Sequence, residues 1–271
     1  MHNGDRMGAA RAAWILPAAA IGLAGCLVAT TLLRRGGTTP QRDAAPDTGR
    51  ATQNTSQAER PAKPYAQMLG EIDRERRELA EAYRQARMPS RRREVLQRAR
   101  AAMVRAVAER IAPYWYGTPW AFHGTTQQPG AGSIACGYFV ATVLRDAGFR
   151  LERVSLAQQP AERIILSLTG ERHIRRFSDA PLGRFVRAVR DDGAGLYVVG
   201  LDYHVGLLLC EGAEVFFLHS SGLPPRKVVK EPAEHSAALA NSRYRVYGKI
   251  SADDALLRRW LLGEPIPTRR R

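Results

Sequence analysis

Short runs of apolar and β-branched residues, bounded by turn-forming residues, recur in the C-terminal half of the chain. They predict strands at 195–201, 204–210 and 215–221, and an alternating pattern predicts a further strand at 244–250. Residues 211–214, Glu-Gly-Ala-Glu, are typical of a hairpin turn, so the second and third of these strands should pair in antiparallel fashion.

Apolar residues at helical spacing occupy much of the remaining chain. Residues 65–112 are predicted to form a basic helical hairpin that breaks near Pro89. Another helix is predicted to begin at Cys136 and to end at Gly148, a residue type that commonly terminates helices. The expected fold class is therefore α+β, with an antiparallel sheet packed on the cysteine-bearing helix.

Residues 113–250 are expected to form the main domain, with an insertion at about 150–194. The insertion contains predicted helices at 158–168 and 181–190, separated by a basic loop at 169–176. Because insertions of this kind line the clefts of many enzymes, this one is expected to shape the substrate site.

The two ends of the chain differ in character from this domain. Residues 12–33 carry no charge and are long enough to cross a membrane as a helix, so 1–35 is predicted to be a signal or membrane anchor. Residues 36–64 contain almost no large apolar side chain and are predicted to be a flexible linker. At the other end, Ser251 is predicted to cap a helix within 251–271.

The N-terminal segment has more than one interpretation. The residues Leu-Ala-Gly-Cys at 23–26 resemble the bacterial lipoprotein signal, in which Cys26 would be lipidated after cleavage. The run stays apolar beyond Cys26, which favours an uncleaved transmembrane helix, and another cleaved signal is a third interpretation. The first two predict a periplasmic protein that is tethered to the membrane.

Charge and cysteine count restrict the classes of partner. The chain carries 41 basic and 26 acidic side chains, a net charge of +15, which raises nucleic acid as a partner. However, +9 of this charge lies in residues 1–112, and we find no zinc-finger spacing, basic-region heptads or aromatic RNA-binding motif. No nucleic acid partner is therefore expected. Three cysteines and no close-paired ligand spacing also predict no metal site and no cofactor.

The candidate chemistry centres on Cys136, which follows a glycine-rich loop. The free N–H groups and positive partial charge of a helix N-terminus stabilise a thiolate, and cysteines at such a position can ionise near or below neutral pH. The same N–H groups can hold an oxyanion. His204 opens one predicted strand and His219 lies near the end of its antiparallel neighbour. We therefore expect the two histidines to be adjacent and Cys136 to reach His204.

These features together resemble a known family. Four features are shared: an aromatic segment around Gly117-Thr118-Pro119, a cysteine at a helix start, a His-Val-Gly that opens a strand, and a later strand with a polar end. With them, the chain resembles the NlpC-type cell-wall cysteine peptidases over roughly residues 111–222. The resemblance implies a permuted papain-like fold, with Cys136 as nucleophile, His204 as base and His219 as orienting residue. It also implies that the substrate is an amide of the peptidoglycan stem peptide.

The chain departs from the family pattern near the cysteine. Where the family usually has Asp-Cys-Ser-Gly, this chain has Ala-Cys-Gly-Tyr at 135–138, and Trp120 stands where a tyrosine is common. The resemblance places Trp120, His123 and Gly137 at the oxyanion or the cleft. The missing acidic residue is thought to help hold a free substrate amine in the family, so the usual stem-peptide specificity does not carry over unchanged.

Several residues are weaker candidates. Asp202, Arg172, Arg175 and Arg176 are candidates for binding substrate, although a turn residue and a solvated basic loop are the alternatives. Cys210 ends an apolar strand and is expected to lie in the core, but a disulfide with Cys136 stays open.

The predicted function is that of a cysteine amidohydrolase or endopeptidase acting on peptidoglycan stem peptides or a related envelope amide. A thiol-dependent acyltransferase or lipid-acyl hydrolase is one alternative, favoured by the membrane tether and the missing acidic residue. A non-catalytic envelope binding module, in which the cysteine is buried or oxidised, is the other.

Overall fold

The computed structural model describes residues 63–269, which belong to one compact unit. Six strands form an antiparallel sheet in the order β1-β6-β2-β3-β4-β5. The strands are β1 Ile174–Ser178, β2 Gly195–Leu201, β3 Val205–Glu211, β4 Glu214–Ser220, β5 Val228–Pro232 and β6 Tyr244–Gly248. The predicted α+β class is confirmed. The expected anchor at 12–33, including Cys26, lies outside the described residues.

Within residues 63–269 the chain also forms nine α-helices. They are α1 Tyr65–Gln85, α2 Pro89–Arg105, α3 Ala112–Trp115, α4 Cys136–Asp146, α5 Arg153–Ala157, α6 Ala161–Leu168, α7 Leu182–Asp191, α8 Ala237–Ala240 and α9 Asp254–Leu262. A π-helix, Ala106–Ile111, connects α2 to α3. None of the helices in this part of the chain has both the length and the apolar character that crossing a membrane requires.

Side chains on β3 alternate between two hydrophobic cores, because successive side chains on a strand point to opposite faces of the sheet. Val205, Leu207 and Leu209 belong to the larger core, which also contains the buried side chains of α4. Leu208 and Cys210 belong to a smaller core, which contains those of α7. The sheet therefore lies between α4 and α7.

The helical hairpin packs into the larger core. Its buried residues, which include Met68 and Ile72, contribute to the same cluster as α4 and α9. The Trp115 indole donates a hydrogen bond to the hydroxyl of Tyr65 at 3.0 Å, and that hydroxyl donates to Asp146 at the end of α4 at 2.7 Å. The hairpin is thus attached to the helix that carries Cys136.

Most predicted elements are present, and several short elements differ from the expectation. The strands at 195–201, 204–210, 215–221 and 244–250 and the helices of the insertion are confirmed with small shifts at their ends. The predicted basic loop at 169–176 instead contains a 3₁₀ turn, Glu171–His173, and the start of β1. The short elements α3, α5, α8 and β5 were not predicted.

The residue predicted to cap the last helix, Ser251, was also wrong. Asp253 caps α9, since its Oδ1 accepts hydrogen bonds from the amides of Ala255 and Leu256 at 2.9 and 3.2 Å. Ser251 instead accepts a hydrogen bond from the amide of Leu196 at the start of β2, at 3.0 Å. Asp253, two residues after Ser251, lies where the first free amides of the helix need a hydrogen-bond acceptor.

Candidate active site

Cys136 is the first residue of α4 and is half-buried. One face of α4 is fully buried and holds this helix in the larger core. The side chains on that face are Phe139, Val140, Val143 and Leu144. Ala135, at the N-cap position, provides no capping side chain for the first amides of the helix.

The surroundings of the Cys136 thiol have opposing effects on its pKa. Burial raises the pKa of the Cys136 thiol above its ordinary value, although hydrogen bonds from the backbone amides of Val205, Gly137 and Cys136 partly oppose the rise. Burial in the folded protein therefore works against the ionisation that the helix start alone would favour. The Val205 contact also places the sulfur next to the residue that follows His204.

Gly137 is required by a close approach between two chain segments. A Cβ at this position would lie 2.3 Å from the carbonyl oxygen of Ala157 at the end of α5. A serine at this position, as in the family pattern, would therefore clash with the main chain. The departure from that pattern has a physical cause in the way α5 packs against the start of α4.

His204 and His219 are in direct contact. Leu207 of β3 lies opposite Leu218 of β4, and this antiparallel register places the two histidines diagonally on the same face of the sheet. His204 Nε2 and His219 Nδ1 are 2.8 Å apart, a hydrogen-bond distance. The adjacency expected from the sequence is present. His204 Nδ1 has no hydrogen-bond partner among the described residues.

Gly206 provides the space for this pair. A Cβ at position 206 would lie 2.5 Å from Cε2 of Phe217 and 2.9 Å from Cβ of His219. The Phe217 ring stacks on the His219 ring with centroids 4.0 Å apart and 12° between the planes. The glycine of the His-Val-Gly sequence is therefore a packing requirement of the second histidine.

Glu231 extends the contact to a third residue that sequence reasoning missed. Its Oε1 lies 3.2 Å from His219 Nε2, on the side of the ring away from His204. Glu231 lies on β5, the edge strand next to β4, where Phe217 is its partner. The alternation of Val228-Val229-Lys230-Glu231 ahead of Pro232 was the signal that could have predicted this strand.

The surroundings determine the charge of these groups. Burial, reinforced by the neighbouring His219, lowers the pKa of His204 to about 3, so His204 is neutral at neutral pH. Burial by itself would raise the pKa of the Glu231 carboxyl, but hydrogen bonds from His219 and Ser236 hold it below its usual value. His204 is thus a neutral imidazole in a line of hydrogen bonds that ends on the Glu231 carboxylate.

One cavity of about 670 Å³ joins most of the predicted site residues. It is lined by Cys136, Gly137, His204, Trp120, His123 and Asp202, among others. Its rim is apolar: Phe122, Tyr203 and Leu223 are 76%, 99% and 40% exposed and all border the cavity. A cavity of this size suits a small-molecule or peptide-sized group.

Trp120 and His123 lie on the loop that forms one side of this cavity. The amide of Trp120 donates to the carbonyl of Arg226 at 2.9 Å, and its ring lies over Gly222. His123 is exposed, with its ring edge-on to Phe122 at 4.9 Å between centroids. Their predicted place at the cleft agrees with this geometry, whereas the contribution of Trp120 to an oxyanion site stays a prediction.

Asp202 borders the cavity but is occupied by structural hydrogen bonds. Its Oδ2 accepts from the hydroxyl of Ser242 at 2.8 Å and from the amide of Arg243 at 2.7 Å. The Ser242 hydrogen bond is the main reason that the pKa of Asp202 is lowered. The carboxylate thus attaches the turn between β2 and β3 to the start of β6. This is the role of a turn residue, which was the alternative to substrate binding.

The three candidate arginines do not line the Cys136 cavity. Arg175 pairs with Asp192 at 2.5 Å, and Arg176 pairs with Glu162 at 2.7 Å and Glu171 at 2.5 Å. Arg172 donates to the ring of His173 at 3.0 Å. All three lie on or next to β1, at the opposite edge of the sheet from β5.

Cys136 and Cys210 are both free thiols and face opposite sides of the sheet. Since Cys210 belongs to the smaller core and Cys136 packs against the larger one, a disulfide between them would have to pass through the sheet. The alternative left open by the sequence is excluded by this arrangement. Within residues 63–269, no group of three His, Cys, Asp or Glu side chains is arranged to hold a metal ion.

The fold and the site together define an α+β protein in which one cavity is lined by a helix-start cysteine and by His204. Behind His204, outside the cavity lining, lie His219 and the carboxylate of Glu231. Comparison of the chain with family models, with curated proteins and with solved structures found no match.

Proposed function

We propose that this protein is a cysteine amidohydrolase or endopeptidase with an NlpC-type, papain-like fold, acting on peptidoglycan stem peptides or a related envelope amide. The observation that carries the proposal is the hydrogen bond between His219 and His204, a residue that lines the same cavity as Cys136. A thiol beside an imidazole that a second group orients is the arrangement of thiol hydrolases.

The reaction begins from neutral partners. As the Cys136 sulfur attacks the scissile carbonyl carbon, its proton passes to Nδ1 of His204 and the carbonyl oxygen becomes an oxyanion. The amide of Cys136 and the indole N–H of Trp120 stabilise that oxyanion. General-base assistance at the moment of attack is favoured over a preformed ion pair, because burial raises the pKa of the thiol and lowers the pKa of His204.

The second half of the reaction regenerates the thiol. The tetrahedral intermediate collapses, the C–N bond breaks, and His204 gives its proton to the leaving amine, which leaves a thioester on Cys136. Water then attacks the thioester while His204 accepts a water proton. The C–S bond breaks, the carboxylic acid leaves, and the proton returns to the sulfur.

Digestion of purified peptidoglycan sacculi tests this function. The full chain and the variants Cys136→Ala and Cys210→Ala would be compared by mass spectrometry of the released fragments. We expect Cys136→Ala to lower turnover by on the order of 10³-fold or more, whereas Cys210→Ala, at the other free cysteine, retains it. Equal hydrolysis by Cys136→Ala and the unmodified chain would exclude the mechanism.

The apolar rim favours a second candidate, a thiol-dependent acyl hydrolase or acyltransferase. Phe122, Tyr203 and Leu223 expose apolar surface around the cavity, and such surface suits an acyl chain better than a charged stem peptide. Release of fatty acid from acyl thioesters or phospholipid, without cleavage of sacculi and dependent on Cys136, would select this candidate.

The proposed location is the periplasm, with residues 12–33 as a transmembrane tether or Cys26 as a lipid anchor. Both would hold the cavity close to envelope substrates. Membrane fractionation of the full chain and of Cys26→Ala distinguishes them, since only the lipid anchor is lost with that cysteine.

A further inference from the structure

Three side chains form a continuous line from the cavity to the edge of the sheet. His204 Nε2 meets His219 Nδ1 at 2.8 Å, and His219 Nε2 meets Glu231 Oε1 at 3.2 Å. His219 is only 1% exposed, so water does not compete for its ring nitrogens, whereas Glu231 is 32% exposed at the outer end. The line therefore has one buried member between two partly accessible ones.

The number of protons in this line is limited by its carboxylate end. An ionised carboxylate only accepts hydrogen bonds, so His219 must present N–H at Nε2 to Glu231. When the His219 ring carries a single proton and that proton is at Nε2, its Nδ1 is left as an acceptor. His204 Nε2 must then be the donor in the contact between the rings, and the lone pair of His204 is confined to Nδ1.

We propose that Glu231 is a positioning residue that fixes the tautomers of both histidines and so keeps the basic nitrogen of His204 at Nδ1. This inference rests on the proposed function, in which Nδ1 accepts the Cys136 proton. Glu231 acts through His219 and touches neither the sulfur nor the cavity wall.

The carboxylate also has an electrostatic effect during the reaction. When His204 accepts a proton, the new positive charge can be shared with His219 by transfer along the hydrogen bond, and Glu231 stabilises that charge. A neutral residue at position 231 loses this stabilisation, and a residue without an acceptor also loses control of the tautomers. The two effects are separable by substitution.

Nitrogen-15 NMR of the histidine rings tests the tautomers without any substrate. Labelled full-length protein would be compared with Glu231→Leu and Glu231→Gln, and the ring signals assigned with His204→Gln and His219→Gln. We expect N–H at Nε2 on both rings in the unmodified chain and mixed tautomers on both rings in Glu231→Leu. Protonation of His219 at Nδ1, or spectra of Glu231→Leu that match the unmodified chain, would overturn the proposal.

A matched control lies in the same short segment. Glu234 is exposed and pairs with Arg190 rather than with a histidine, so Glu234→Gln removes a nearby carboxylate without touching the line. We expect its histidine signals to match those of the unmodified chain. A change in Glu234→Gln as large as that in Glu231→Leu would show a general loss of charge or structure, and would also overturn the proposal.

Turnover provides the second measurement. With a cleaved substrate, Glu231→Leu should lower kcat on the order of 10- to 100-fold while KM stays unchanged, since general-base catalysis is worth more than that in total. Glu231→Gln, which keeps an acceptor, should lose less. If turnover depends on Cys136 but Glu231→Leu has the tautomers of the unmodified chain, the role of Glu231 is refuted and the proposed function is not. If the tautomers are as expected but Cys136→Ala retains full turnover, the proposed function is refuted and the role of Glu231 in fixing the tautomers is not.

Discussion

The space beside His219 makes Gly206 a sensitive test of the site. In Gly206→Ala the new methyl group would lie 2.5 Å from Cε2 of Phe217 and 2.9 Å from Cβ of His219, and 3.0 Å from the carbonyl oxygen of Leu218. Carbon atoms in proteins normally stay about 3.5 Å or more apart. The stacked rings of Phe217 and His219 must therefore move.

Overpacking of this kind costs about 1–3 kcal/mol in a buried core. For a folded region of this size, each kcal/mol corresponds to roughly 2–4 °C in Tm, so a decrease of about 2–12 °C is expected. Movement of the His219 ring also lengthens its hydrogen bond to His204, so turnover should fall by more than the loss of folded protein explains.

The assay is thermal unfolding by circular dichroism, together with turnover per folded molecule. Gly70→Ala is the matched control, because Gly70 lies within α1, is exposed, and would place a Cβ with no atom within 4 Å. That control should gain up to about 1 kcal/mol from helix propensity. Unchanged Tm and turnover in Gly206→Ala would refute the packing argument.

Three further predictions concern the surroundings of the site. Because the pKa of His204 is lowered to about 3, the unfolded chain binds a proton below about pH 6.5 that the folded protein does not bind. The free energy of unfolding should therefore fall as pH falls from about 6.5 to 3, and urea titrations of His204→Gln should show a smaller decrease. Asp202→Ala should lower Tm with KM unchanged, whereas a raised KM would indicate contact with substrate. Asp253→Ala, which removes the cap of α9 and hydrogen bonds to Thr169 and Gly170, should cost about 1–3 kcal/mol in urea unfolding, and no loss would contradict the cap assignment.

The central strands and the cysteine helix could be predicted because their sequence patterns are strong. β2, β3 and β4 are buried on both faces and read as apolar runs, and Gly212 marks the hairpin between β3 and β4 with φ of 65°. Their antiparallel order was sufficient to bring His204 and His219 together.

The edge strands could not be predicted in the same way. β1 and β5 are five residues long and carry charged side chains, including Arg175 and Arg176 on β1 and Lys230 and Glu231 on β5. Such edges are typical of sheets that avoid pairing with other chains, and their composition resembles that of a solvated loop. Glu231 was missed because its strand was missed.

The direction of the pKa shift of the Cys136 thiol could not be predicted for a different reason. The position of Cys136 at a helix start could be inferred from the sequence, and its stabilising amides are present. The burial that outweighs them is a property of the folded chain and cannot be inferred from the position of Cys136 at a helix start. Contact between distant segments explains Gly137, since the Ala157 carbonyl that excludes a side chain belongs to another helix.

Trapping of the acyl-enzyme tests the central claim most directly. The protein would be mixed with a short activated acyl ester, quenched in acid, and mapped by mass spectrometry of its peptides. We predict one acyl adduct on the peptide that contains Cys136, and strong depletion of that adduct in His204→Ala, which lacks the base. An adduct on Cys210 instead of Cys136, or turnover of the ester by Cys136→Ala at the rate of the unmodified chain, would contradict the account.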